Sequence, residues 1–172
     1  MTRSARQFAS SPYPLFEHGT AHLSPCGLYR YHLSRFTGIN GSLRRAVWVM
    51  LNPSKADAAI DDPTTCALRE FTIRFRCTSF DIVNLYAWRT TDPKELWRAL
   101  DPVGPDNDRW IAETCHGADV IVCAWGSFGE KVRIASVLAQ IPRPRYALGV
   151  NKDGNPKHPL YIRRDTPLKD YL

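Results

Sequence analysis

Four short, almost unbroken apolar runs punctuate the chain: residues 45–51 (RAVWVML), 80–86 (FDIVNLY), 119–125 (DVIVCAW) and 146–150 (YALGV). Apolar runs this short, without alternation, are the pattern of strands buried on both faces. Helical stretches lie between them, marked by their start and stop residues. Asp62 is placed to cap a helix whose first position is Pro63, running to about Arg76. Asp92-Pro93 opens a second helix, with Glu95 three residues on as in a capping box. A third runs from near Pro105 to Gly117, and a fourth follows Gly126-Ser127-Phe128-Gly129 as far as about Gln140. Residues 27–36 alternate instead and read as an antiparallel strand. The order β, β, α, β, α, α, β, α, β predicts an α/β fold. It is a three-layer sandwich with a short, mainly four-stranded parallel sheet flanked by helices, plus an N-terminal antiparallel strand. Residues 1–24 read as an irregular segment, and residues 25–172 as a single domain.

In sheets of this kind ligands bind beyond the carboxyl ends of the strands. The residues there are Asn52-Pro53-Ser54-Lys55 after the first core strand, Asn84 late in the second, Trp125-Gly126-Ser127 after the third, and Lys157-His158 beyond the fourth. Each also has a plain structural reading. Asn52 before a proline is a common turn former. Ser127 can cap a helix, and a lone His158 can pack in a loop. Asp61 and Asp62 can serve the helix start, or as a carboxylate pair hold a metal or activate water. Asn84 is harder to place, because an amide in a buried strand must find backbone partners or a ligand edge. Basic residues gather around the same ends: Lys55, Arg89, Lys131, Lys152, Lys157, Arg163 and Arg164.

The 172 residues suit one domain, and a net charge of +6 favours a polyanionic partner, nucleic acid (DNA) or a nucleotide. The five cysteines form no C-x-x-C pair, which argues against a disulfide framework, a zinc site or an iron–sulfur cluster. No apolar run approaches the roughly 20 residues of a membrane span, and the polar N-terminus lacks a secretion signal, so a cytoplasmic monomer is expected. There is no dinucleotide fingerprint, no phosphate-binding Walker loop and no nucleophile elbow. No cofactor and no resident metal are implied.

The segments VWVMLNPSKADAAIDDPTTCALREF, IVNLYAWRTTDPKELWRALDPVGPDND, VIVCAWGSFG and LGVNKDGNPKHPLYI, in that order over residues 25–165, resemble the bacterial and phage domain of unknown function family 1643. The same segments look more distantly like the uracil-DNA glycosylase superfamily, whose fold is a short parallel sheet flanked by helices. Leu51-Asn52-Pro53-Ser54 stands where that superfamily has its first motif, Asn84 where it has a base-reading asparagine, and Trp125-Gly126 where a strand ends in the same pair. His158-Pro159 matches the first two residues of its final motif, with Leu160 where serine is expected, and Leu51 replaces the glycine that opens the first motif. The resemblance implies a hydrolase of DNA repair that cleaves an N-glycosidic bond of a uracil-like or modified base. Under it, Asn84, Pro53, Ser54 and Trp125 hold the base, with Asn52, His158 and Asp62 in catalysis. Lys55, Ser127, Lys157, Arg163 and Arg164 grip phosphate. Two other readings stay open: a nucleic-acid or nucleotide binding protein without chemistry, and an N-glycosidase acting on free nucleosides or nucleotides.

Overall fold

The computed structural model describes residues 19–41, 43–54 and 61–172. Seven strands among them form one mixed sheet: β1 (Ala21–Leu23), β2 (Arg30–Phe36), β3 (Arg45–Met50), β4 (Ser79–Asn84), β5 (Val120–Cys123), β6 (Tyr146–Ala147) and β7 (Lys169–Asp170), in the spatial order β1-β2-β4-β3-β5-β6-β7. The pairings β3–β4, β3–β5 and β5–β6 are parallel, whereas β1–β2, β2–β4 and β6–β7 are antiparallel. The sheet is therefore not the mainly parallel, four-stranded one expected. The added strands are β1 and β7, of three and two residues, too short to leave a periodic signal. β1 also lies inside the segment expected to be irregular.

Four helices, α1 (Pro63–Arg74), α2 (Pro93–Leu96), α3 (Asn107–Cys115) and α4 (Lys131–Gln140), complete the fold. Alternate residues of β3 explain its unbroken apolar run. Ala46, Trp48 and Met50 pack with Leu68 and Phe71 of α1, while Val47, Val49 and Leu51 pack with Ile111 of α3 and Val137 of α4. Helices thus cover both faces. Within the parallel part, β4-β3-β5-β6, the winding reverses between β3 and β5, which is where such sheets leave a crevice at their carboxyl ends.

The predicted helix starts are partly corrected. Asp62 caps α1, its Oδ1 accepting from the Thr65 backbone N–H at 2.7 Å. Asp92 caps α2 through Lys94 N–H, but the capping box does not close on it. The Thr90 hydroxyl comes between, accepting from Asp92 N–H at 3.0 Å and lying 2.7 Å from Glu95 Oε2, to which it donates. α4 starts at Lys131 without a side-chain cap, so Ser127 does not cap it. No helix among the described residues is long and apolar enough to cross a membrane.

Candidate functional site

The carboxyl ends of β3, β4 and β5 open into a cleft of about 770 Å³. Met50, Leu68 and Ile82 give it apolar wall, and eight of the residues singled out by position line it: Asn52, Ser54, Asp62, Asn84, Trp125, Ser127, Lys157 and His158. The convergence follows from topology, since each lies on or just beyond a strand end or at the start of α1.

Asn84 is the last residue of β4 and lines the cleft, only 1% exposed. Its Oδ1 and Nδ2 are both buried, and neither has a hydrogen-bond partner among the described residues. Its backbone is held firmly. Asn107, the first residue of α3, donates from Nδ2 to the Asn84 carbonyl at 3.0 Å and to the Leu85 carbonyl at 3.1 Å. Arg133 of α4 donates to the same Leu85 carbonyl at 2.7 Å. The amide is thus a fixed donor–acceptor pair that no described residue satisfies.

His158 starts a 3-10 turn (Pro159–Tyr161), and its Nδ1 accepts from Leu160 N–H at 3.3 Å. That bond assigns the proton of the neutral ring to Nε2. Burial pushes the imidazole below its usual range, partly opposed by the negative charge of Asp62. Asp62 behaves in the reverse sense. Burial pushes its carboxyl up, but hydrogen bonds from the Ser54 hydroxyl, the Thr65 backbone and the Thr65 hydroxyl, with the charge of Arg30, hold it below the usual carboxylate range. The cleft therefore holds a neutral imidazole beside an ionised carboxylate at neutral pH.

The other predicted residues divide. Asn52 lines the cleft and donates from Nδ2 to the carbonyls of Thr90 at 2.8 Å and Pro53 at 3.2 Å, tying the β3 loop to the segment after β4. Trp125 is buried, donates to Asn155 Oδ1 at 3.3 Å and meets Tyr171 edge-on. Ser127 accepts from Asn151 Nδ2 at 3.1 Å. Pro53 is buried behind the wall, where its carbonyl accepts from Thr90 N–H. Lys55 lies outside the described residues. Arg163 and Arg164 stand away from the cleft wall. Arg163 pairs with Asp165, whereas Arg164 pairs with Glu70, donates to the carbonyls of Pro159 and Ile162 and lies over the Phe71 ring. Asp61 is taken up by Arg35 at 2.7 Å and Arg69 at 2.6 Å. The described residues include no cluster of three His, Cys, Asp or Glu able to hold a metal ion.

Arg30, Phe128 and Tyr161 also line the cleft and were not foreseen. Arg30 is buried on an alternating strand, whose pattern gives no sign that it reaches the cleft. Phe128 and Tyr161 are exposed aromatics at the mouth, at 61% and 83%. Phe128 follows Trp125 beyond the end of β5, and Tyr161 closes the 3-10 turn that His158 starts. The five cysteines are free, and burial pushes the thiols of Cys115 and Cys123 up to about 12, so these two are inert packing groups.

No curated protein and no solved structure matches the chain, so the comparisons do not show the expected likeness to uracil-DNA glycosylases. A family model does match, over residues 30–160, and on it the chain belongs to the family described as protein of unknown function, DUF1643.

Proposed function

We propose that the cleft recognises a nucleobase and that the protein is a DNA glycosylase-like hydrolase of an N-glycosidic bond to a uracil-like or modified base. The observation that carries this reading is the Asn84 amide, buried, rigidly mounted and without a partner among the described residues. Leaving both of its polar atoms unsatisfied costs on the order of 1–3 kcal/mol per group. A pyrimidine edge, which carries an N–H beside a carbonyl, answers the amide's acceptor and donor together. The cleft volume of about 770 Å³ is that of a small-molecule site and accommodates a whole nucleotide.

The chemistry follows from the charges. As the C1′–N bond breaks, its electron pair leaves with the base and the sugar becomes cationic. The neutral His158, with its proton on Nε2, donates a hydrogen bond to the base oxygen that gains negative charge. The ionised Asp62 stabilises the sugar cation electrostatically. Its low basicity suits that role better than proton abstraction. Asn52 Oδ1 orients the water whose oxygen bonds to C1′. The water's proton passes to solvent, and the released base anion is protonated from solvent.

The test is alkali-revealed strand cleavage of labelled duplexes and single strands carrying uracil, mismatches and modified pyrimidines. Abasic sites formed by the wild type, and reduced at least a hundredfold in His158→Ala and Asn84→Ala, are the expected outcome, since loss of one such donor typically costs about 10²–10³ in rate. Salt-sensitive binding without any abasic site would replace this reading with that of a binding protein. The sequestered Asp62 oxygens are the feature that would then make sense.

A further inference from the structure

A second cavity, of about 270 Å³, adjoins the cleft and shares Ser54, Thr90 and Thr91 with it. Arg89 stands in its wall. The Arg89 backbone N–H donates to the Leu28 carbonyl at 3.0 Å, and its Nη1 donates to the Gly27 carbonyl at 3.0 Å, so both ends of the residue are tied to the loop before β2. Its Nε is buried and has no hydrogen-bond partner among the described residues. Nor does the guanidinium meet a carboxylate there, although Arg35, Arg45, Arg69, Arg133, Arg163 and Arg164 all do. Glu95, on the same wall, has Oε2 engaged by the Thr90 hydroxyl at 2.7 Å.

A guanidinium remains charged at every relevant pH, and a buried N–H without an acceptor is costly. A side chain held rigid, cationic and one acceptor short beside a cavity is suited to an anion with several oxygens. We propose that the side cavity is a phosphate subsite in which the Arg89 guanidinium binds the oxyanion. The shared residues Ser54, Thr90 and Thr91 make it continuous with the main cleft, so the phosphate belongs to the same molecule as the base. That link rests on the reading of Asn84 above, whereas the phosphate subsite rests on Arg89 alone. Two sources carry this group: the terminal phosphate of a free mononucleotide and the diester of a nucleic-acid strand.

Calorimetric titration of the full chain tests this with inorganic phosphate, thymidine, thymidine 5′-monophosphate and a short single-stranded oligodeoxynucleotide lacking terminal phosphate. Wild type, Arg89→Gln and Arg89→Lys are compared, with melting curves for each. Arg89→Gln removes the charge but keeps an N–H for the Gly27 carbonyl. The expected result is binding of phosphate-bearing probes weakened about tenfold or more in Arg89→Gln, with Arg89→Lys intermediate and thymidine unaffected. Tighter binding of the monophosphate assigns the subsite to a free nucleotide, and tighter binding of the oligonucleotide assigns it to a strand. Phosphate-bearing probes that bind Arg89→Gln as they bind the wild type, or fail to bind the wild type, overturn the proposal. Asn84→Leu separates the two readings. If it leaves thymidine binding unchanged, the base reading fails, while loss of phosphate binding in Arg89→Gln still upholds the subsite.

Discussion

On the proposed reading, Asn84 is both a cost to the fold and the reason for the site. A leucine of similar size at that position would face the apolar residues Met50 and Ile82 without an unmet hydrogen-bond demand. Asn84→Leu is therefore expected to stabilise the ligand-free protein by about 1 kcal/mol, a rise in melting temperature of roughly 2–4 °C, while abolishing base binding. Thermal unfolding with and without a pyrimidine nucleoside checks both halves, and a melting temperature that falls would mean that the amide has a partner. His158 provides a second check. Burial lowers its affinity for a proton, and the Asp62 charge opposes that. Asp62→Asn, which keeps a capping side chain, should move the His158 titration still lower, read from the ring C–H resonances by NMR. An unchanged or raised value would show that the two groups do not communicate. Both residues were legible in the sequence, Asn84 as an amide stranded in an apolar strand and His158 as the histidine after the last strand. Arg30 was not, since nothing in its strand's alternation says that its charge reaches the start of α1.

At the scale of elements, α1 has two tasks. Its first turn presents Asp62 and Thr65 to the cleft, and its later turns seal the sheet through Leu68 and Phe71. The seal is specific. Trp48 Nε1 donates to Thr72 Oγ1 at 3.0 Å, and that hydroxyl donates on to the Leu68 carbonyl at 2.7 Å, all fully buried. Thr72→Val keeps the shape but strands the indole N–H, so a loss of about 1–3 kcal/mol is expected in urea unfolding. A neutral result would mean that the indole finds another acceptor. α1 was readable because Asp62-Pro63 and a full-length helical stretch coincide. The box at α2 was misread because Thr90, outside the motif, competes for Glu95 and for Asp92 N–H. The helix starts at Asp62 and Lys131, the turn at Gly117 and the ends of β3 and β4 all fall within a few residues of expectation.

For the whole molecule, buried titrating groups set the acid limit. The His158 pKa is depressed below its ordinary 6.5, so the unfolded chain takes up that proton first. Its contribution to stability is complete above pH 6.5 and is lost as pH falls through the folded value. Asp62 and Asp81 are held below 3.8 despite burial, Asp81 by His32 and Arg45, so their contributions persist above pH 3.8 and disappear on further acidification. Melting temperatures measured against pH should fall in these two stages, and His158→Gln should remove the first. A wild-type profile that lacks the first fall, below pH 6.5, would show that His158 is solvated. The net charge of +6 carries a separate expectation. DNA binding should weaken with salt, by about 0.9 in log–log slope per phosphate contacted. A slope near zero would remove the polyanion from the account.

What the sequence determined by itself was the alternation of doubly buried strands with helices, and hence the rim on which a site had to lie. Those features are local, because apolar runs, caps and turn residues act within a few positions. Only the tertiary structure decided that β1 and β7 extend the sheet, since strands of two or three residues exist through their neighbours and not through any pattern of their own. It also decided which polar groups are already spoken for. Asp61 and Arg164 looked as available as Lys157 and Arg89 until partners distant in sequence claimed them. Availability is a property of the packed molecule, because a buried group counts as free only once every neighbour that folding brings to it has been placed.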